Sequence, residues 1–278
     1  MLRNAFAYIT RKWPKSLLLF AIILLMGTLS LIGLSMKGAT QKASSESLGS
    51  ITNSFSMQIN RRTNPGTPRG AGNLRGEDIE KISQVEGITS SIKRINAIAD
   101  ILDHEIIETE ETLQNQSPER AKHFKNTLMV TGVNDSSKED KFVSGAYKLV
   151  QGEHLTDKDK NQILMHEDLA KKNGLKVGDK VRLKSNLYDA DNEKGANETV
   201  EVTIKGLFSG KNQAPLTYAQ ELYEDTLISD LDTAAKLYGN TVQTATYEDA
   251  TFFAKGDQDL DKLIEKIKAL DIPWNYYD

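Results

Sequence analysis

Residues 16–36, SLLLFAIILLMGTLSLIGLSM, run for 21 positions without a charge. A helix rises about 1.5 Å per residue, so such a run spans ~30 Å, the hydrocarbon thickness of a bilayer. Core helices rarely stay uncharged for so long, and the apolar part of a secretory leader is shorter, about 7–15 residues. Residues 16–36 are therefore expected to be a transmembrane helix. Arg3, Arg11, Lys12 and Lys15 precede it, while all 39 acidic residues follow it. This bias places residues 1–15 in the cytoplasm and everything after about residue 37 outside the membrane.

Leu2, Ala5, Phe6, Ile9 and Trp13 recur at helical spacing, with Arg3, Asn4, Arg11 and Lys12 on the other side. Residues 1–15 thus read as an amphipathic segment lying at the inner leaflet, turning into the membrane at Trp13 and Pro14. Within the span, Gly27, Ser30 and Gly33 are candidate helix-packing positions, since small residues let a second helix approach closely in lipid. Residues 37–50 read as a polar stalk.

The chain has no cysteine. Disulfide frameworks, thiolate metal sites and thiol catalysis are excluded. The external portion is net acidic, which gives no support for nucleic-acid binding as a whole domain.

Beyond the stalk the pattern is α+β. Phe55, Met57 and Ile59 alternate as a strand. The stretch RRTNPGTPRGAGNLRG (61–76) follows, with four Arg and no acid. It reads as a loop, and Arg61, Arg62, Arg69 and Arg75 are its candidate contacts for an anionic partner. Ile79, Ile82 and Val85 then mark one helix face, stopped by Gly87. An Ile-rich strand, an acidic surface excursion (103–120) and the strand LMVTGVN complete a first half, residues 51–140. Residues 141–215 read as a β-rich subdomain of short strands, with one short helix near 167–173. In it Val200, Val202 and Ile204 alternate with Glu201 and Thr203. Its turn at 186–199 reads as polar and mobile. Residues 216–278 return to α+β, with Leu260, Leu263, Ile264, Ile267 and Leu270 on one face of a helix that Asp257 or Asp259 caps and Pro273 stops.

No catalytic constellation is present. His104, His123, His154 and His166 form no metal-spaced pair, and Asp157 and Asp159 in TDKDKN read as a solvated turn without the Gly and Glu of a calcium loop. NGLKVGDKVRL (173–183) has the wrong order for a phosphate loop, because a helix precedes the glycines and a strand follows them. Gly174 reads as the left-handed stop of the helix, and Gly178 with Asp179 as a tight turn. No cofactor is expected.

The run GEHLTDKDKNQILMHEDLAKKNGLKVGDKVRL…VEVTIKGLFSG, together with LRGEDIEKISQVEGITSSIKR, resembles the extracytoplasmic domain of MacB/FtsX-type ABC transporter permeases. In it Gly174, Gly178 and Asp179 serve as fold markers. The resemblance implies one transmembrane helix followed by a porter-like α+β subdomain (51–140 and 216–278) interrupted by the β-rich one (141–215). It also implies a non-catalytic permease working as a dimer with a second copy or paralogue. A separate cytoplasmic ABC ATPase would hydrolyse ATP and drive movement of the external domain. Export or extraction of peptides, antibiotics or lipid-linked substrates would be the output. Such permeases carry three further spans, and none follows Met36 here, so the chain is expected to be a fragment or a shortened form. The other reading is a single-span membrane-anchored extracellular binding or sensor module.

Overall fold

The computed structural model describes residues 53–68, 72–212, 216, 218–256 and 258–278, besides the helical positions Pro14, Leu24 and Met26. The amphipathic segment, most of the expected span with Gly27, Ser30 and Gly33, the stalk, and Arg69 lie outside the described residues. Among the described residues no helix is long and apolar enough to cross a membrane. Residues Ser54–Asp278 form one compact unit.

In chain order the unit contains β1 (Ser54–Met57), β2 (Leu74–Arg75), α1 (Gly76–Ser83) and β3 (Ile88–Leu102). Next come α2 (Glu110–Asn115), α3 (Pro118–His123), β4 (Thr127–Val133), α4 (Asp140–Val143) and β5 (Lys148–Gly152). Then follow β6 (Gln162–His166), α5 (Glu167–Lys172), β7 (Lys180–Ser185), β8 (Thr199–Ser209), β9 (Thr226–Ser229) and α6 (Leu231–Lys236). The chain finishes with β10 (Thr246–Tyr247), β11 (Asp249–Ala254) and α7 (Leu260–Lys268). The fold is mixed α+β, built on one large sheet.

Two long strands organise that sheet. β3 pairs with β11 through its first half, with β4 through its second, and with β7 at its end. β8 pairs with β7 at its start, then with β6 and β5. Together with β4–β9 and β9–β6, these ladders close a circuit: β3, β4, β9, β6, β8, β7 and back to β3. β5 continues the sheet beyond β8, and β11 with β1 continues it beyond β3.

Alternation along the strands builds two cores on opposite faces. Ile163, Met165, Ile204 and Leu227 belong to the main core with Leu263 and Ile267 of α7. Their immediate neighbours Leu164 and Ile228 turn the other way, into a second core with Val133, Tyr147, Leu155 and Phe208. This second core is aromatic. Tyr147 lies 4.6 Å from Phe208 and 4.8 Å from Tyr223, ring centre to ring centre, and Phe142 packs edge-on against Tyr147 at 5.5 Å.

Two expectations are corrected. Segment 186–199 is not simply a solvated polar turn, because Asn186, Asp189 and Asn192 face inward while Glu193, Lys194, Asn197 and Glu198 stay exposed. Buried Asn186 donates from Nδ2 to Asp100 Oδ1 (3.0 Å), His123 O (2.9 Å) and Thr127 Oγ1 (3.1 Å). Asn192 donates to the backbone carbonyls of Asn186 and Ala196, and Tyr238 donates its hydroxyl to Asp189. Satisfied buried hydrogen bonds replace hydration, and the loop is held. Likewise Asp159 is not a solvated turn residue. It accepts from Lys205 Nζ at 2.8 Å and from Thr156 N at 2.7 Å. Burial pulls its carboxyl up, but these bonds outweigh that and hold it below its ordinary value. The first strand also stops at Met57, and Ile59 continues only as a bridge to Tyr277. The acidic excursion carries two short helices, α2 and α3, each with a side-chain N-cap, from Thr109 and Ser117.

Candidate functional site

The NGLKVGD stretch closes α5: Asn173 donates its N–H to Leu169 O at 3.2 Å, and Gly174 turns the chain at φ +65°. Leu175 N donates to Ala170 O at 2.8 Å, so the reversal is stitched to the helix. Gly178, at φ +94°, donates its N–H to Ile204 O, and Asp179 Oδ2 accepts from Lys176 N at 3.0 Å. A Cβ at Gly174 would meet no atom within 4 Å. Gly174→Ala should therefore lose only the cost of a left-handed alanine, about 1–2 kcal/mol. Urea unfolding of the full chain checks this, and a loss well above that range would mean a collision the structure does not contain.

Of the basic loop's arginines, Arg61, Arg62 and Arg75 are described. Arg61 and Arg62 are exposed on the turn between Asn60 and Asn64. Arg75 ends β2 and donates from Nε to Asp78 Oδ2 at 2.9 Å. Asp78 is fully buried and also accepts from Tyr277 Oη at 2.9 Å. Arg75 thus joins the start of α1 to the end of the chain. A cleft of about 330 Å³ opens there, beside Asn64, Arg75 and Tyr276.

The histidines are structural or peripheral in position. Buried His166 donates from Nε2 to Gly210 O at 2.9 Å and accepts Asp168 N–H at Nδ1 (3.2 Å), which fixes the orientation of its ring. His154 faces Ser136 Oγ at 2.9 Å, and burial holds its pKa below the usual value. His123 lies 3.1 Å from Glu119 and stacks on Tyr188. Among the described residues no group of three or more acidic or histidine side chains is placed to hold a metal ion.

Two larger clefts remain, each about 580 Å³. One runs between α1, β3 and the start of α6. Three of its acidic side chains are ion-paired, Glu80 with Lys93 (3.3 Å), Asp159 with Lys205 (2.8 Å) and Asp232 with Lys236 (2.6 Å), and Asp157 and Lys160 line it with opposite charges. The other lies where β5 begins and β8 ends, over the aromatic second core. Lys148 and Ser209 face each other across the ladder there, and Gly210, Lys211, Asn212 and Tyr223 complete the walls. Glycine is required at 210, because a Cβ would stand 2.4 Å from Ala146 O. Beneath the floor Lys141 Nζ lies over the rings of Tyr147 (5.1 Å) and Tyr223 (4.9 Å). Burial lowers its pKa, against the neighbouring Glu139 carboxylate, which raises it.

Sequence reasoning passed over Lys148, Lys211 and Tyr223. The only local signal was Gly-Lys at the end of a strand, in FSGK, and the pairing register is what brings the two lysines together.

A family model for the MacB-like periplasmic core domain matches residues 16–270. No curated protein matches the chain. Among solved structures, the chain is similar to the periplasmic region of MacB from Actinobacillus actinomycetemcomitans. The identity is 16% with a TM-score of 0.44, over 79% of this chain and 82% of that one. It is also similar to the extracellular domain of the ABC-type transporter YknZ from Gram-positive bacteria. There the identity is 12% with a TM-score of 0.42, over 81% of this chain and 98% of that one.

Proposed function

Because the chain belongs to the MacB-like periplasmic core domain family of ABC-transporter permeases, we propose that it is a non-catalytic permease subunit, or the N-terminal part of one. In this reading a partner ATPase in the cytoplasm hydrolyses ATP, and the permease carries that motion to its extracytoplasmic domain. The family match over residues 16–270 carries the proposal. Two further observations support it. The uncharged run 16–36 with its basic N-terminal flank suits a membrane span with the N-terminus inside, and its helical residues Leu24 and Met26 are both exposed. Gly27, Ser30 and Gly33 are proposed to pack that span against a second copy or a paralogue. The porter-like halves 51–140 and 216–278 and the β-rich part 141–215 are proposed as its working subdivisions. Peptides, antibiotics or lipid-linked molecules are the proposed cargo, exported or extracted from the membrane.

Purification of the full chain from its own host in mild detergent tests this reading. An ATPase subunit carrying a phosphate-binding loop should co-purify in stoichiometric amount, and ATP hydrolysis should reside in that subunit alone. Recovery of the chain with no nucleotide-binding partner would instead favour a single-span binding module.

A further inference from the structure

The cleft between β5 and β8 is lined by two lysines and, among the described residues, by no carboxylate. Lys148 and Lys211 both line it, and neither ammonium makes an ion pair or hydrogen bond with any described residue. Lys148 sits opposite Ser209, the last residue of β8, and Lys211 follows just beyond the end of that ladder, lining the same cleft. Two ammoniums that line one cleft repel each other, and an anionic ligand bound between them relieves that repulsion. Among the described residues no carboxylate lines the cleft to offset them. Glu139 and Glu224 act on Tyr147 from the adjoining core but do not line the cleft. Several other described lysines are ion-paired instead: Lys93, Lys172, Lys180, Lys205, Lys236 and Lys262 each have a carboxylate within 4.0 Å.

Two further donors, the Ser209 and Tyr223 hydroxyls, also line the cleft and make no hydrogen bond with described residues. The lip that carries them is fixed. Gly210 packs against Ala146, His166 holds the Gly210 carbonyl, and Tyr223 rests on Tyr147. Four donors without a partner among the described residues thus line one concavity of about 580 Å³, with no described side chain of opposite charge beside them. A carboxylate offers two oxygens and one charge. A phosphate group offers three acceptor oxygens and close to two charges at neutral pH, which matches two ammoniums and two hydroxyls.

We propose that the β5–β8 cleft binds a phosphate group of a phosphorylated ligand, with Lys148 and Lys211 as its charge partners and Ser209 and Tyr223 as hydroxyl donors. This inference does not depend on the transport reading: loss of the site would leave that reading intact, and loss of that reading would leave the cleft. The shared chemistry is the phosphate, which a soluble metabolite or a lipid headgroup can supply.

The test is titration of the full chain in detergent micelles with inorganic pyrophosphate, followed calorimetrically. Flotation with phosphatidylcholine vesicles, with and without phosphatidic acid, forms the second arm. Pyrophosphate should bind, and Lys148→Gln or Lys211→Gln should each weaken binding about tenfold, the scale of one charge-assisted contact. Tyr223→Phe should weaken it less, and Lys262→Gln, on the exposed face of α7, should not change it. Binding to phosphatidic acid that the same two variants abolish would assign the headgroup as the source, and pyrophosphate binding alone would assign a soluble one. Absence of binding in both arms would overturn the proposal. So would equal weakening by Lys262→Gln, which would reduce the effect to overall charge.

Discussion

Asp225→Asn should remove a loss of stability that the wild-type chain suffers between about pH 4 and pH 8. Asp225 is completely buried just before β9. Its Oδ1 accepts from Ile107 N at 2.6 Å, and its Oδ2 has no hydrogen-bond partner among the described residues. Burial disfavours the carboxylate and pushes its pKa up to about 8. The Ile107 hydrogen bond and Lys172 pull the other way without winning, and Glu224 and Glu108 add to the rise. The folded chain therefore holds this proton more tightly than the unfolded chain, where the group ionises near 3.8. Stability is full below about pH 4, declines as the pH rises, and this contribution is gone above about pH 8. The limiting slope is ~1.4 kcal/mol per pH unit. Burial also raises Glu139 and Asp249, which tilt stability the same way, and lowers Lys141 and His154, which tilt it oppositely. The informative quantity is thus the difference between wild type and variant in urea unfolding at successive pH values. Asparagine keeps the Ile107 bond and cannot ionise, so the difference should shift in favour of the variant by several kcal/mol across the window. Parallel curves would show that Asp225 is hydrated.

Phe208→Ala should cost about 3–5 kcal/mol, the range for deleting a buried aromatic ring. Phe208 is completely buried at the end of β8. Its ring meets Tyr147 at 4.6 Å, His166 at 5.3 Å and Phe142 at 5.8 Å. The second core is small, so its neighbours have few ways to collapse into the space. For a unit of this size the loss corresponds to a fall in Tm of roughly 10 °C. Phe208→Leu fills most of the volume and should cost much less. A loss under about 1 kcal/mol for the alanine variant would mean that these rings do not form a packed core.

Local periodicity revealed the elements but not their partners. The Leu/Ile stripe at 260–267 reads as a helix, and Leu263 and Ile267 are indeed buried in α7. Val202 and Ile204 face the core while Glu201 is exposed, as alternation required. The ladders from β7 to β3 and from β4 to β9 join segments distant in sequence, and no period-2 or period-3.6 pattern carries that information. The closed circuit of strands was invisible for this reason. Composition misread the 186–199 loop, because asparagine is polar whether it faces water or buried backbone. Asn186 and Asn192 donate to carbonyls inside the fold, and only the fold supplies those carbonyls. The β5–β8 cleft was hidden likewise, since Lys148 and Lys211 become neighbours only through the register that sets Lys148 against Ser209.

The central claim, that ATP hydrolysis on another chain moves this extracytoplasmic domain, has a direct test because the chain contains no cysteine. Leu113 is an exposed position on α2, and Leu113→Cys gives a single site for a spin label. In the permease assembled with its ATPase, electron–electron resonance reads the distance between labels on two copies. The account predicts that the distance distribution shifts between the nucleotide-free and ATP-trapped states. An unchanged distribution, in an assembly that still hydrolyses ATP, would contradict it.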